Sequence, residues 1–505
     1  MVRREANEGT HKHILSWKVQ STSELYEYPC KKFPPEIRNR KNPPAPTADE
    51  VCSYLREFIE EKGMAAKFRF NTTVTDIFCT AEDCWIVEFN DFSTKEFSFV
   101  IVCNGLVSAK PNNIRLPGEK EFMSSGGIIM HSSQRRSDDI FLGKRVLVIG
   151  NGKSAADAAA AAAEANKANP SESLKSPIQM ARRPMWYVPR YILGFIQYKW
   201  AFHTRLGSTL LPRYYETTFF LWKLLHCLFV PIKWLLWRVV EFLLLLQYRL
   251  PYRLWPKMGT IEGAALETSV LITDSEHLAR IRSGDVDLRI GTVEKLEHRR
   301  AIMSNGSVAD VDVVILATGW NLSYDMFMDS GSIFAGLDFN KDCLDFCDDG
   351  LWLYRNILPA GFKGMAFVGA NTLTFMNIYT SYIQAYWLAE LLGGKREWPE
   401  EAHMKETVER EKAFKRKYYK SGPMRAASIE AYMQHYHDLL FSEMRARKPF
   451  NCLVRPFADM IVPVVPSVMK GCLEPVELKA KQKKAIQSSA TSTASSEEDG
   501  KEHSI

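Results

Sequence analysis

The sequence predicts an α/β fold in which a nucleotide-binding parallel sheet is inserted between two segments of a second domain. Three observations predict it. The first is the run Lys144 to Ala163, KRVLVIGNGKSAADAAAAAA, a short apolar strand passing through a glycine turn into an alanine helix. The second is a pair of similar strand exits on either side of it, Val102-Cys103-Asn104-Gly105 and Leu316-Ala317-Thr318-Gly319-Trp320. The third is a second strand, Ile178 to Ala181, ending in Arg182 and Arg183. Strands that run into small-residue turns are where open α/β sheets place their ligands.

The glycine turn has a physical reading residue by residue. Gly150 permits the sharp turn, Asn151 follows, and Gly152 lets the backbone approach a pyrophosphate. Ala155 stands where a small side chain lets helix and strand pack closely. Lys153 and Ser154 open the helix, whose unpaired N–H groups and dipole favour phosphate. At the end of the second strand a carboxylate would hold a free ribose 2′-hydroxyl, whereas arginine suits a 2′-phosphate. Arg182 and Arg183 therefore predict NADPH rather than NADH.

Composition sets the outer bounds. The chain has 505 residues, 25% charged and 46% hydrophobic, with a formal charge of +6. That is enough chain for two or three domains, and the charge is too mild to argue for nucleic acid. Ten cysteines are scattered without zinc-ligand spacing or a dense disulfide framework, which predicts a reducing compartment. No signal peptide opens the chain, so the reading is cytoplasmic or on the cytosolic face of a membrane.

Before the glycine turn, Trp17 to Gln20 and Leu25 to Pro29 read as extended segments, and Pro43, Pro44 and Pro46 break the chain. Thr47-Ala-Asp-Glu50 starts a helix that carries Val51, Tyr54, Leu55, Phe58 and Ile59 at helical spacing and stops at Gly63. Lys67 to Asn71, Val74 to Phe78, Trp85 to Phe89 and Phe97 to Val102 read as strands. After it, Thr217 to Leu250 is rich in Leu, Phe and Trp but interrupted by Lys223, His226, Lys233, Arg238 and Glu241. No run reaches the roughly 18 uncharged residues that span a bilayer. The five polar residues fall within an arc of about 140° at helical periodicity. Two readings stay open: an amphipathic element in a membrane interface, or a buried lid with its polar edge in water. Pro231 is expected to kink or divide this helix. Further on, Trp352 to Pro359 and Gly364 to Gly369 suggest a return to the first domain's sheet. A helix from Ser381 to Leu392 ends at Gly393-Gly394, and Glu400 to Lys420 reads as a charge-laced, solvated helix. His435 and His437 lie two apart and share no helix face, which argues against a metal site. The tail from about Leu478 reads as disordered.

Taken together, these pieces resemble the flavin-containing monooxygenases, most closely their plant-type branch. The matching residues are Val-Cys-Asn-Gly at 102–105, Met130-His131-Ser132, the glycine turn, Ala-Arg-Arg-Pro-Met-Trp at 181–186 and Leu-Ala-Thr-Gly-Trp at 316–320. Phe367-Val-Gly369-Ala-Asn followed by Gln384-Ala-Tyr-Trp387 resembles the family's returning flavin segment. The resemblance covers roughly Leu15 to Trp398.

It implies FAD and NADPH as cofactors, with the NADPH domain (143–320, carrying an apolar helical insertion at about 190–256) inserted into a discontinuous FAD domain (1–142 and 321–470), ahead of a disordered tail (471–505). The implied activity is transfer of one oxygen atom from O2 to a soft nitrogen or sulfur centre of a small lipophilic substrate. Asn104 and Gln20 are the implied polar groups near the flavin. His131, Ser132, Thr318, Gly319, Gly369 and Gln384 are implied cofactor contacts, with His131 linking the domains.

The sequence also departs from the family pattern. Ser125 and Arg135 replace aromatic residues of the signature around Gly127 and His131, and Gln20 stands where asparagine is usual. The family's N-terminal glycine-rich turn for FAD needs roughly 30 residues or more as a βαβ unit. Only a polar leader precedes Trp17, which predicts either a shortened chain or weakened FAD binding, with exposed apolar edges in the flavin sheet. The competing functions are an inactive NADP(H)-binding relative with an interaction role, and a Baeyer–Villiger or other NADPH–flavin oxidoreductase. The latter is disfavoured by the lack of a tryptophan-containing signature after His131.

Overall fold

The computed structural model describes residues 19–40, 45–79, 84–106, 110–170, 175–216, 227–256, 259–266, 270–273, 275–322, 324–327, 346–362, 364–372, 375–445 and 463–466. Statements of absence below refer to these residues. The expected extended segment at Trp17, the first part of the apolar run (217–226) and the tail lie outside them.

A five-stranded parallel sheet forms the nucleotide unit, in the spatial order Asp287–Ile290, Ile178–Ala181, Val146–Ile149, Val313–Leu316, Ile128–His131. The apolar β-branched runs of Val146–Ile149 and Val313–Leu316 suit central strands covered on both faces, and nearly all of their side chains are buried. The Ile128–His131 strand, which precedes the expected boundary at 143, is hydrogen-bonded into this sheet beside Val313–Leu316. The alanine helix Lys153–Ala168 buries eight alanines. Their methyl groups let the backbone come close to the strands, which bulkier side chains would prevent.

The base of the sheet is clamped electrostatically. Asp312, 6% exposed, accepts from the Arg145 backbone N–H at 2.8 Å and from its guanidinium at 2.8 and 3.0 Å, and also bonds Arg299. These partners hold its carboxyl well below the usual carboxylate range despite burial. A three-stranded antiparallel sheet, Val293–Glu297, Arg300–Met303 and Val308–Asp310, covers one end, with a turn at Asn305-Gly306.

The flanking parts form smaller sheets. Val74–Cys79, Trp85–Phe89 and Thr94–Phe97 are antiparallel, and Val100–Val102 pairs in parallel with Met365–Phe367. Ile101 of that last strand is 44% exposed. The expected helix start at Thr47 to Glu50 forms, and there Thr47 and Glu50 make a reciprocal capping box on the helix Ala48–Glu61.

Several expectations fail. The Lys67 to Asn71 stretch is not a strand, because a 3₁₀ turn at Ala65–Lys67 precedes it and its aromatic residues stay exposed. Leu25 lies in a 3₁₀ turn rather than an extended segment. The helix Glu401–Tyr418 is solvated on one face only. Its other face buries Met404, Val408 and Phe414 together with a Glu411–Lys415 ion pair at 2.6 Å. Charge spacing marks such a helix but does not say which side packs.

Glu27 gives this fold a pH signature. Its carboxylate is fully buried, accepting from the Phe33 N–H at 3.2 Å with Arg38 3.6 Å away. Burial outweighs these contacts and pushes its pKa up to about 7. A carboxyl raised above its unfolded value is favoured protonated in the fold, so its stabilising contribution is lost as pH rises from 4.5 through about 7. Thermal melts of Glu27→Gln against the parent should therefore separate with pH. The variant should gain up to roughly 3 kcal/mol relative to the parent between pH 5 and pH 8; parallel pH profiles would refute the assignment.

Candidate functional site

Two strand exits meet at the nucleotide sheet and fix the shape of the crevice. Gly150 follows Val146–Ile149 with φ 143°, and a Cβ there would lie 2.3 Å from the Ala317 carbonyl oxygen. The Ala317 N–H donates to the Ile149 carbonyl at 2.9 Å, so the two exits run in contact. Gly152 differs. A Cβ there would meet nothing within 4 Å, and its backbone is extended. The glycine at 152 answers no demand of the protein's own packing, and the open space beside it lies at a helix start that no side chain caps. Those observations fit a phosphate group resting on the Lys153–Ala168 helix. Lys153 pairs with Asp157 one turn on, Ser154 is exposed, and Ala155 is fully buried against the sheet.

Asn151 is held by groups the sequence reading passed over. Its side-chain oxygen accepts from Tyr187 Oη at 3.0 Å and Gln179 Nε2 at 3.2 Å, and its Nδ2 donates to the Arg183 carbonyl at 3.3 Å. Burial raises the Tyr187 phenol to about 12, so it stays a donor. The only signal for Gln179 was an amide inside an otherwise apolar strand. Arg182 and Arg183 are both exposed just beyond that strand's end. The residues present thus fit a nicotinamide dinucleotide with a 2′-phosphate.

His131 joins the first segment to the second exit. Its Nε2 lies 3.0 Å from the Gly319 carbonyl, and its Nδ1 accepts from the Ser133 N–H at 3.2 Å. With Nδ1 accepting, the neutral ring donates from Nε2 to Gly319, and burial lowers its pKa. Its ring packs edge-on against Trp320. Ser132 is buried beside it. Thr318 donates its hydroxyl to the Asn112 carbonyl, and the Asn112 N–H donates to the Gly319 carbonyl at 2.9 Å. Asn112 was not foreseen.

A second group forms at the other pair of parallel strands. Asn104 follows Val100–Val102, and Gly369 follows Met365–Phe367 alongside it. The Gly369 N–H donates to Gln384 Oε1 at 2.9 Å, and Gln384 Nε2 donates to Asn371 Oδ1 at 3.0 Å and Tyr436 Oη at 2.8 Å. Gln384 is fully buried on the helix Asn377–Leu392. Asn371 is 5% exposed, and its Nδ2 makes no hydrogen bond among the described residues. An unsatisfied buried amide is a costly feature that a bound ligand's oxygen would relieve. This end fits the polar edge of a flavin. Among the described residues no second glycine-rich strand-to-helix turn accompanies it. Gln20 follows Val19, whose carbonyl accepts from Arg190 at 2.9 Å.

The helix Val230–Tyr248 reverses one of the two readings left open for the apolar segment. Pro231 sits in its first turn, where it has no hydrogen bond to break, and does not kink it. Its polar residues face the protein. Arg238 pairs with Glu262 at 2.7 Å, and Glu241 accepts from the Ile261 N–H at 2.8 Å, on the same side as buried Trp237, Leu244 and Tyr248. Ile232, Trp234, Leu235, Val239, Phe242 and Leu246 point outward, each 46–61% exposed. A lid with its polar edge in water is therefore ruled out for this helix. No described helix is long and apolar enough to cross a membrane. His437 bonds Thr380 at 2.8 Å and is pushed down to about 3 by burial, which makes it a core residue.

Comparison with known proteins gives a consistent picture. The model of a family described as FMO-like, flavin-binding monooxygenase-like, matches residues 8–455. A probable indole-3-pyruvate monooxygenase, YUCCA1 of Arabidopsis thaliana, is 26% identical over 329 residues, covering 64% of this chain and 66% of that one. Flavin-containing monooxygenase 3 of Oryctolagus cuniculus is 25% identical over 428 residues, covering 82% and 70%. Among solved structures, an oxidized steroid monooxygenase bound to NADP superposes with a TM-score of 0.59 at 17% identity, covering 85% of this chain and 89% of that one.

The two glycines should separate folding from binding. Gly150→Ala should destabilise the protein by about 2–4 kcal/mol, since both its φ and the Ala317 carbonyl exclude a Cβ. Gly152→Asp should leave the melting temperature unchanged or slightly higher, because the new carboxylate caps the helix. It should weaken NADPH binding at least tenfold by occupying the phosphate's place, as read by fluorescence titration.

Proposed function

The chain belongs to the flavin-binding monooxygenase-like family, and from that premise we propose that it transfers one oxygen atom from O2 to a soft nitrogen or sulfur centre of a small lipophilic substrate. NADPH would supply two electrons, and the second oxygen atom would leave as water. FAD and NADP(H) are the cofactors of this family and its structural neighbours. When bound, they supply the reducing equivalents and the activation of O2. The observation that carries the reading is the uncapped helix start at Gly152, open beside two exposed arginines, its turn held against the second strand exit where Gly150 meets the Ala317 carbonyl.

The chain's own residues do the binding and positioning. The amides at the start of Lys153–Ala168 hold the pyrophosphate, Ser154 lies at the same end, and Arg182 and Arg183 hold the 2′-phosphate. Asn151, fixed by Gln179 and Tyr187, keeps the turn in one conformation. Asn104 and Asn371 present polar groups to the flavin, with Gly369 and Gln384 shaping that wall. Gln20 approaches the reacting face. His131, neutral and bonded at both nitrogens, is a clasp rather than a proton carrier. With Ser132, Thr318 and Gly319 it sets the spacing between the nucleotide unit and the flanking parts. Those parts, up to 142 and from 321 to 470, form the flavin unit, apart from the strand Ile128–His131.

The outward apolar face of Val230–Tyr248 supports a peripheral contact with a membrane interface on the cytosolic side. Its charged side chains are consumed by the protein, and its exposed face carries Trp234 among aliphatic residues. Co-sedimentation with phosphatidylcholine–phosphatidylserine vesicles should fall at least tenfold for Trp234→Ser combined with Phe242→Ser. Equal partitioning of variant and parent would remove the membrane contact.

Oxygen transfer is tested by NADPH consumption by the purified protein supplemented with FAD, in the presence and absence of methyl p-tolyl sulfide. Stoichiometric sulfoxide formation is expected. The double variant Arg182→Ala, Arg183→Ala should lose at least tenfold of the preference for NADPH over NADH, about 1.4 kcal/mol or more. Retention of that preference would overturn the arginine assignment.

A further inference from the structure

A cavity of about 90 Å³, open to solvent at its mouth, lies where the helical insertion meets the nucleotide unit and the C-terminal helices. Its walls are predominantly apolar, with Val188, Phe202, Leu211, Trp237, Ile261 and Phe375 among them. Polar side chains in the lining have buried atoms without a hydrogen-bond partner among the described residues: Tyr198 Oη, His203 and Gln434. His203 is 3% exposed, and neither ring nitrogen makes a hydrogen bond among the described residues. Gln434 is 5% exposed, and its Oε1 likewise has no partner. Leaving such groups bare inside a protein is costly, and polar groups few in number on an apolar wall are what fixes a small ligand's orientation.

We propose that this cavity binds an uncharged, mostly apolar small molecule carrying one hydroxyl or carbonyl group, which His203 and Gln434 read by hydrogen bonding. His203 is packed edge-on between Phe375, at 4.6 Å, and Tyr198, at 5.5 Å. A ring so enclosed stays neutral, its pKa held down by burial, and a neutral imidazole offers one donor and one acceptor. A hydroxyl satisfies both, whereas a cation would face the imidazole and the neighbouring Lys199 without compensation. Glu430 is the one carboxylate among the described lining residues, and it already has a partner.

The cavity adjoins the candidate site through two residues. Phe375 lies two residues before the Asn377–Leu392 helix that carries Gln384, and the Tyr198 phenol lies beside Ser21 and Thr22, next to Gln20. Identifying the bound molecule as the substrate rests on the oxygen-transfer reading; its binding does not.

The test is equilibrium binding of 1-naphthol and of naphthalene to the full chain, read by quenching of tryptophan fluorescence, with NADPH titrated separately on the same samples. The wild type should bind 1-naphthol saturably and at least tenfold more tightly than naphthalene. His203→Phe and Gln434→Leu should each reduce that preference to threefold or less while still binding naphthalene. Ala265→Trp, which fills the cavity, should abolish binding of both and leave the NADPH titration unchanged. Absence of saturable 1-naphthol binding, or equal affinity for the two probes in the wild type, overturns the proposal without needing any variant. Loss of NADPH binding alone would instead count against the oxygen-transfer reading.

Discussion

The approach of Gly150 to the Ala317 carbonyl is the constraint around which the rest of the site is arranged. A methyl group at position 150 would stand 2.3 Å from that oxygen, well inside van der Waals contact. Because the two strand exits touch, the helix that follows one of them opens directly onto the crevice bounded by the other. The alanine surface of that helix extends the same principle. Small side chains bring it down onto the sheet, and the exposed end of its dipole is left pointing at the crevice. Gly152, free of any steric demand from the protein, stands in contrast to Gly150. One glycine is required by the fold, and the other is not.

Two buried polar systems give this crevice its rigidity. Asn151 is held from three sides, by Tyr187, by Gln179 and by the Arg183 backbone, so the turn and the arginine pair move as one body. His131 bonds Gly319 across 188 residues of chain, and Trp320–Asn321 pairs with Lys110–Pro111. Position at the crevice is thus set by hydrogen bonds between segments far apart in sequence, in a setting where leaving any one unmade is expensive. Neutrality of His131 follows from the same arrangement, since one ring nitrogen already accepts.

The helical insertion adds a different kind of constraint. It leaves the nucleotide unit after Trp186–Pro189 and returns as Val270–Thr273 in parallel beside it. Its helix Val230–Tyr248 turns its charges inward, toward Glu262 and the Ile261 backbone, and its aliphatic residues outward. That inversion of the usual arrangement is affordable only because each inward charge finds a partner. The cavity carrying His203 is lined in part by the inner side of the same insertion, so one segment contributes to both an outer apolar face and an inner apolar recess.

Much of this was legible in the order of residues, and the reasons are local. The apolar run, the two glycines and the alanine helix are contiguous, so periodicity and turn chemistry suffice to read strand, turn and helix. Thr47 to Glu50 are contiguous too, and the helix start follows from those residues alone. Reading failed where the answer depended on a distant partner. Gln179, Asn112 and Asn371 have no motif around them, and they matter only because folding puts them beside Asn151, Gly319 and Gln384. The polar arc of the Val230–Tyr248 helix was visible as a pattern, yet a pattern carries no sign. Which face lies against the protein is decided by whether Glu262 and Ile261 are there to receive it, and that is a property of the tertiary structure alone.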